Sequence, residues 1–283
     1  MGLTAPPQDR WKPPLDCGAV GIDSLSRDIF GFVGILEAFS LDGRVAIVTG
    51  ASSGLGAGFS RALADAGADV VLAARRSDRL QETAASIRDH GRTALCVETD
   101  VSQPEQCKAL VLSAMEEFGR VDILVNNAGV GTAVPALKET PEEFRRVFDV
   151  NVNGAYWMAQ ECGKVMLPGS SIINISSVLA SVKSFAPQAA YSSSKAAIIA
   201  LTRDLSAQWA ERRGIRVNAI APGYFASEMT AEVPEEALNA WLETHCTLRR
   251  MGTQAELDSA LIFLASRASS YITGTTLAVD GGV

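Results

Sequence analysis

From Leu41 to Val283, short runs of β-branched residues alternate with alanine-rich stretches of helical length, and few folds accept such a pattern. Strands buried on both faces read as apolar runs, and parallel neighbours need a crossover of helical length between them. The alternation therefore predicts βαβ units. Strands are expected at Arg44–Thr49, Asp69–Ala73, Thr93–Glu98, Ile123–Asn126, Ser171–Ile175, Arg216–Ile220 and Thr276–Val279. Helices are expected near 55–66, 78–90, 104–118, 142–166, 190–212 and 254–266. Right-handed crossovers would wind these into a single-domain α/β fold, a doubly wound, Rossmann-type parallel sheet of seven strands with helices on both faces.

The 283 residues suffice for one domain of about 250 residues and an extension. We place the extension at 1–40 and the single main domain at 41–283, since no repeat or linker interrupts the latter. Pro6, Pro7, Pro13 and Pro14 favour an extended or disordered start. The apolar run Ile29–Leu36 is too short to span a bilayer and is expected to pack on the domain or on a neighbouring subunit. No basic stretch leads into a signal-type apolar run, so secretion is not expected. A net charge of −7 argues against nucleic acid or anionic membrane as a partner. Cys17, Cys96, Cys107, Cys162 and Cys246 are odd in number and lack a CxxC pair, which suits free thiols in a reducing cytoplasm. With only His90 and His245 present, a histidine-based triad or His-rich zinc site is not expected, and we assign no metal.

The first strand runs into Thr49-Gly50-Ala51-Ser52-Ser53-Gly54-Leu55-Gly56 and then a helix. Glycines at a strand-to-helix turn let backbone N–H groups approach a pyrophosphate at the helix N-terminus. Roughly 20 residues on, a carboxylate would meet two ribose hydroxyls, whereas a 2′-phosphate needs an arginine. The sequence there reads Ala74-Arg75-Arg76, which favours NADP over NAD, with Arg75 as the leading clamp, Arg76 beside it, and Ser52 and Ser53 as further donors. The competing reading is a solvated basic turn. Asp100-Val101 ends the third strand, where the acid either accepts from an adenine amino group or caps a turn. Asn126-Asn127-Ala128-Gly129 ends the fourth beside the expected ribose, with one of the asparagines expected to tie strand ends together.

Tyr191 and Lys195 stand four residues apart at a helix start and so share a face. A free tyrosine titrates near pKa ~10 and is a poor proton carrier at neutral pH. A neighbouring cation pulls that value down. Lowering it by roughly 3 units takes ~4 kcal/mol, within reach of one partly buried ammonium and a cofactor's positive ring together. Ser177, after the fifth strand, offers a hydroxyl to a substrate oxygen at the carboxyl edge of the sheet. With no histidine or acid nearby in sequence, it reads as a donor and not as an activated nucleophile. Asn151 falls inside a long expected helix, where asparagine is unfavourable, so it either holds a water or other functional group or is simply exposed.

In these motifs the chain resembles the single-domain short-chain dehydrogenase/reductases, 3-oxoacyl reductases among them. The matching pieces are Thr49–Gly56, Asn126–Gly129, Asn151, Ser177, Tyr191 with Lys195, Pro222-Gly223 and Asp280-Gly281-Gly282. The interval from Ser177 to Tyr191 is about one residue longer than usual. The resemblance implies an NADP(H)-dependent oxidoreductase that interconverts a ketone or 3-oxoacyl group and a secondary alcohol. Tyr191 would be the general acid/base, Lys195 would lower its pKa and hold the nicotinamide ribose, Ser177 would orient the substrate, and Asn151 would hold a water. It also implies that Pro222, Gly223, Phe225 and Ser227 meet the nicotinamide, with Ser227 in place of a usual threonine. An NAD-linked alcohol or hydroxysteroid dehydrogenase is the alternative, and a non-catalytic dinucleotide-binding protein is a third.

Residues 178–190 and 224–245 would flank the reacting carbon. Leu179, Phe185, Phe225, Met229 and Trp241 are candidates for an apolar wall or for ordinary packing. Such a wall would suit an apolar carbonyl or alcohol, a small molecule. The resemblance further implies a homotetramer or dimer built on helices 142–166 and 190–212.

Overall fold

Alternate residues of the first strand, β1 (Val45–Thr49), feed two separate cores. Ala46 and Val48 pack with Phe59, Leu63, Leu257 and Leu261 on one face, while Val45 and Ile47 pack with Cys107, Leu110, Met158 and Ile172 on the other. That is the period-two consequence of a strand covered on both sides. The structure, a computed structural model, describes residues 34–283 apart from Phe185, Glu232, Val233 and the side chains of Glu228 and Met229. The proline-rich start, Cys17 and most of the Ile29–Leu36 run lie outside the described residues.

The remaining strands are β2 (Asp69–Ala74), β3 (Ala94–Glu98), β4 (Ile123–Asn126), β5 (Ser171–Ile175), β6 (Arg216–Pro222) and β7 (Thr276–Val279). They form one parallel seven-stranded sheet in the order β3-β2-β1-β4-β5-β6-β7. The order reverses between β1 and β4, paired Ala46 to Ile123, which opens a crevice at their carboxyl ends. Helices α1 (Gly54–Asp65) and α2 (Ser77–Asp89) cover one face, and α3 (Pro104–Phe118) contributes Cys107, Leu110 and Ala114 to the other. Each fully buried Leu or Phe contributes about 1.5–3 kcal/mol.

The strand expectations hold to within two residues, β6 running on to Pro222 and β1 starting at Val45. The expected helix 142–166 is instead three pieces: α4 (Pro141–Phe148), a π-helical segment Asp149–Gly154, and α5 (Ala155–Val165). The widened turn lets Gly154 meet Val101, whose Cγ2 would lie 2.7 Å from any Cβ added there. The catalytic-side helix α6 (Ala189–Arg213) begins one residue earlier than expected. After β6 come a short turn of helix, α7 (Glu228–Ala231), and then α8 (Glu235–His245), which was not anticipated. Its signals were present: Pro234 before it, Glu235 and Glu236 in its first turn, and Leu238 and Leu242 on one face. Helix α9 (Gln254–Ala265) closes the fold with a capping box between Thr253 and Glu256. No described helix is long and apolar enough to cross a membrane.

Candidate active site

A cleft of about 480 Å³ opens along the carboxyl ends of the central strands. Its floor is the loop after β1, where Gly50, Ser52, Ser53, Gly54, Leu55 and Gly56 all face the cavity. Gly50 has φ +67°, and an added Cβ would lie 2.9 Å from Ala128 Cα; one on Gly56 would collide with the Gly50 carbonyl. The loop is therefore packed as closely as backbone allows. Ser53, the N-cap residue of α1, makes no side-chain cap hydrogen bond, and the first residues of that helix, Gly54, Leu55 and Gly56, line the cleft.

At one end of the cleft stand both arginines. Arg76 Nη2 donates to Ser53 Oγ at 2.7 Å and to Ser52 Oγ at 3.2 Å, so guanidinium and hydroxyls already form one donor cluster. Arg75 lines the same end and is exposed. Asp100 and Val101 line the cleft as expected. Asp100 Oδ1 also accepts from Ser102 N at 3.0 Å and Ser102 Oγ at 2.7 Å, so turn cap and cleft wall coincide in one residue.

In the middle, Asn127, Ala128 and Gly129 line the cleft. Both asparagines tie strands together, not only one. Asn126 Nδ2 donates to Asn174 Oδ1 at 2.9 Å, and Asn127 Nδ2 donates to Thr49 O at 3.0 Å. Asn151 is buried and does not line the cleft. Its Oδ1 accepts from Val130 N at 2.8 Å, and its Nδ2 donates to Val130 O and Ser194 Oγ, each at 2.9 Å. Both amide hydrogens are thus committed within the protein. Through these bonds the side chain braces the loop after β4.

At the reacting end, α6 carries Tyr191 and Lys195 into the cleft beside Ser176 and Ser177 from the end of β5. Tyr191 and Ser177 both line this end of the cleft. Burial raises the Tyr191 phenol above its ordinary value of 10, and the neighbouring Ser177 hydroxyl offsets part of that. The expected lowering by Lys195 is absent from the protein alone. The reason is geometric: Lys195 Nζ lies 5.6 Å from the Tyr191 ring centroid and donates to Ile175 O at 2.8 Å. Burial brings the Lys195 ammonium down from 10.5 to about 8. Ser177 Oγ additionally accepts from Leu179 N at 3.2 Å, which fixes its rotamer.

Pro222, Gly223, Phe225 and Ser227 close the far wall. Ser227 is joined by Thr230, a cleft residue the sequence reading missed, whose Oγ1 accepts from Ser227 N and donates to Phe225 O, both at 2.8 Å. The apolar-wall candidates divide. Phe225 lines the cleft with its ring laid against Gly252. Leu179 is buried but does not line the cleft. Trp241 lies 4.9 Å from the Tyr224 ring and stacks on His245 at 4.7 Å, so its faces are engaged in packing. Phe185 and the Met229 side chain lie outside the described residues. The last residues hold this wall: Leu248 N donates to Gly281 O at 2.9 Å, Thr247 N to Gly282 O at 3.2 Å, and Gly252 N to Tyr224 O at 2.9 Å.

An open switch-point crevice, a glycine loop running into a helix N-terminus and an arginine–serine cluster fit a dinucleotide; the tyrosine, lysine and serine at the other end fit proton transfer. Together they define a dinucleotide-dependent oxidoreductase. A family model described as enoyl-(acyl carrier protein) reductase matches residues 50–283. A galactitol 2-dehydrogenase (L-tagatose-forming) of Cereibacter sphaeroides is 40% identical over 250 residues, 86% of this chain and 96% of that protein. A 2-dehydro-3-deoxy-D-gluconate 5-dehydrogenase of Escherichia coli K12 is 37% identical over 252 residues, 88% and 98% of the two chains. Among solved structures, a gluconate 5-dehydrogenase from Burkholderia cenocepacia J2315 in complex with NADP and tartrate aligns with TM-score 0.82 and 37% identity, covering 88% of this chain and 98% of its own. The chain belongs to the short-chain dehydrogenase/reductase family and is an enzyme that uses a nicotinamide dinucleotide.

Proposed function

We propose that the enzyme interconverts a secondary alcohol and a ketone with NADP(H), and that Tyr191 is its general acid/base. The observation that carries this reading is one continuous cleft with the Arg76–Ser52–Ser53 donor cluster at one end and Tyr191, Ser177 and Lys195 lining the other. Arg76, assisted by Arg75, holds the 2′-phosphate, and the loop Gly50–Gly56 and the α1 N-terminus hold the pyrophosphate. Asp100, Val101, Asn127, Ala128 and Gly129 border the adenosine and ribose, and Pro222, Gly223, Phe225 and Ser227 border the nicotinamide.

Bound in this cleft, the nicotinamide supplies or accepts the hydride. In reduction, Tyr191 Oη gives its proton to the carbonyl oxygen while Ser177 Oγ donates to the same atom, so developing negative charge meets two hydroxyl donors. Lys195, buried and fixed by Ile175 O, places positive charge beside the phenol and the ribose. Oxidation runs these steps backwards, with Tyr191 as the base.

The substrate we favour is a secondary carbinol of a polyol or sugar acid and its ketone. The support is the named activity of the galactitol and deoxygluconate relatives, together with the engagement of Leu179 and Trp241 in packing. Tyr191→Phe is expected to cut kcat by about 10²–10⁴-fold and to leave NADPH binding within a few-fold. Unchanged turnover would remove Tyr191 from the mechanism. A panel of polyols, sugar acids and 3-oxoacyl thioesters then assigns the substrate, and selective turnover of the thioesters would overturn the polyol reading.

A further inference from the structure

Ser194 stands between Tyr191 and Lys195 in the sequence but does not line the cleft. It is wholly buried, with 0% of its surface exposed. Its hydroxyl has two partners: it donates to Tyr191 O at 2.7 Å and accepts from Asn151 Nδ2 at 2.9 Å. The second hydrogen of the same amide goes to Val130 O at 2.9 Å, and the amide oxygen takes the Val130 N–H at 2.8 Å. Val130 follows Gly129 in the loop after β4 and also lines the cleft. One hydrogen-bonded chain, Val130–Asn151–Ser194–Tyr191, therefore crosses three separate segments: the β4 loop, the π-helical segment and the first two turns of α6.

We propose that Ser194 is a positioning residue for the reaction, setting the helical turn that carries Tyr191 against the loop that borders the nicotinamide ribose. The inference rests on the reading of Tyr191 as the proton donor. A serine hydroxyl in a helix ordinarily back-bonds to the carbonyl of residue i−3 or i−4 and does nothing more. Here that back-bond is only half of what the hydroxyl does. Its other lone pair accepts from a buried amide whose remaining groups all belong to the β4 loop. An alanine would leave an Asn151 N–H buried without its acceptor, a penalty the loop can relieve only by shifting. Such a shift separates Tyr191 from the cofactor loop, and small misplacements of reacting groups are costly in rate.

The test uses Ser194→Ala and Ser194→Thr in the full-length protein with NADPH as the cofactor. Ser194→Ala is expected to lower kcat roughly 10-fold per folded molecule and to raise the primary kinetic isotope effect with 4-deuterated NADPH. NADPH Kd is expected to stay within about 3-fold, because the pyrophosphate loop is untouched. In the cofactor-free protein, exchange of the Val130 amide hydrogen is expected to quicken by about 10-fold. Ser194→Thr keeps the hydroxyl and is expected to recover most of the loss on all three measurements. In an Asn151→Ala background the same Ser194→Ala change is expected to cost less than about 2-fold, since the chain is already cut. A lower melting temperature with unchanged kcat, isotope effect and Val130 exchange would reduce Ser194 to a packing residue and overturn the proposal. If Tyr191→Phe itself retains turnover, the underlying reading fails instead, and the two failures are distinct.

Discussion

Ser176 and Lys195 each secure the other's element: Ser176 Oγ donates to the Lys195 carbonyl at 2.8 Å, and Lys195 Nζ donates to the carbonyl of Ile175, next to Ser176, at 2.8 Å. The ammonium is held by the strand end and not by the phenol one turn before it. A buried cation satisfied by a single carbonyl is expensive, and that cost appears as the depressed ammonium value.

This gives a signed prediction for stability. The folded value of Lys195 is about 8 against an ordinary 10.5, so between those pH values the unfolded chain holds a proton that the folded protein has released. The penalty is fully present below about pH 8 and fades as the pH climbs through 8 towards 10.5. Lys195→Met, which removes the charge at similar length, is expected to raise the melting temperature of the cofactor-free protein at pH 6–7 while abolishing turnover. The stability gap between variant and wild type is expected to narrow between pH 8 and 10, read by calorimetry. A gap constant over that range would contradict the burial argument.

Cofactor choice is expected to rest on the arginine nearer the serines. Arg76→Ala should weaken NADPH binding by about 10–100-fold, the loss of one charge-assisted cluster, and leave NADH within about 3-fold. Arg75→Ala should show the same selectivity with a smaller loss, since both arginines are exposed but it is Arg76 that is bonded to Ser52 and Ser53. Nicotinamide fluorescence titrations measure both. Equal losses for the two cofactors would take the pair out of the phosphate site.

At the opposite edge of the sheet, Asp122 is buried and receives Arg44 Nη1 at 2.8 Å, Arg120 Nη2 at 2.7 Å and Val45 N at 3.0 Å. Burial pushes its carboxyl up, but the Arg120 bond, the Val45 N–H and Arg44 together outweigh that and hold it below 3.8. Asp122→Asn should cost about 1–3 kcal/mol of stability by urea titration without changing kcat per folded molecule. Because the folded value is the lower one, that contribution is present above 3.8 and disappears as the pH falls through the folded value.

Gly252→Ala tests the substrate wall. The added methyl would collide with the Phe225 ring, which is 5% exposed and lines the cleft. A loss of about 1–3 kcal/mol of stability is expected, with a raised KM for substrate and weaker NADPH binding, since Phe225 is proposed to border the nicotinamide as well. An unaltered KM would show that Phe225 does not border the substrate.

Strand placement was legible because residues such as Val70, Val71 and Leu72 are apolar on both faces, a signal needing no tertiary information. The cleft was legible too, since its lining comes from strand ends that the alternation locates. Less legible was what a polar side chain does once there. Asn127 sits at the expected edge yet spends its amide on Thr49 O, and Asn151 spends its own on Val130. Those partners lie 78 and 21 residues away in sequence, beyond what local spacing encodes. The π-helical segment escaped as well: within it Gly154 packs closely on Val101, a residue of a different segment, which local spacing does not reveal.

The carbonyls of Gly281 and Gly282 take the backbone N–H groups of Leu248 and Thr247, so the tail of the chain works as a buckle across the wall that carries Tyr224 and Phe225. Fusions or trims at that end are therefore not neutral handling choices. A chain shortened after Val279 would keep its sheet and its cofactor loop but lose the buckle. It should bind NADPH almost normally while discriminating poorly among substrates, measured as the spread of kcat/KM over a substrate panel.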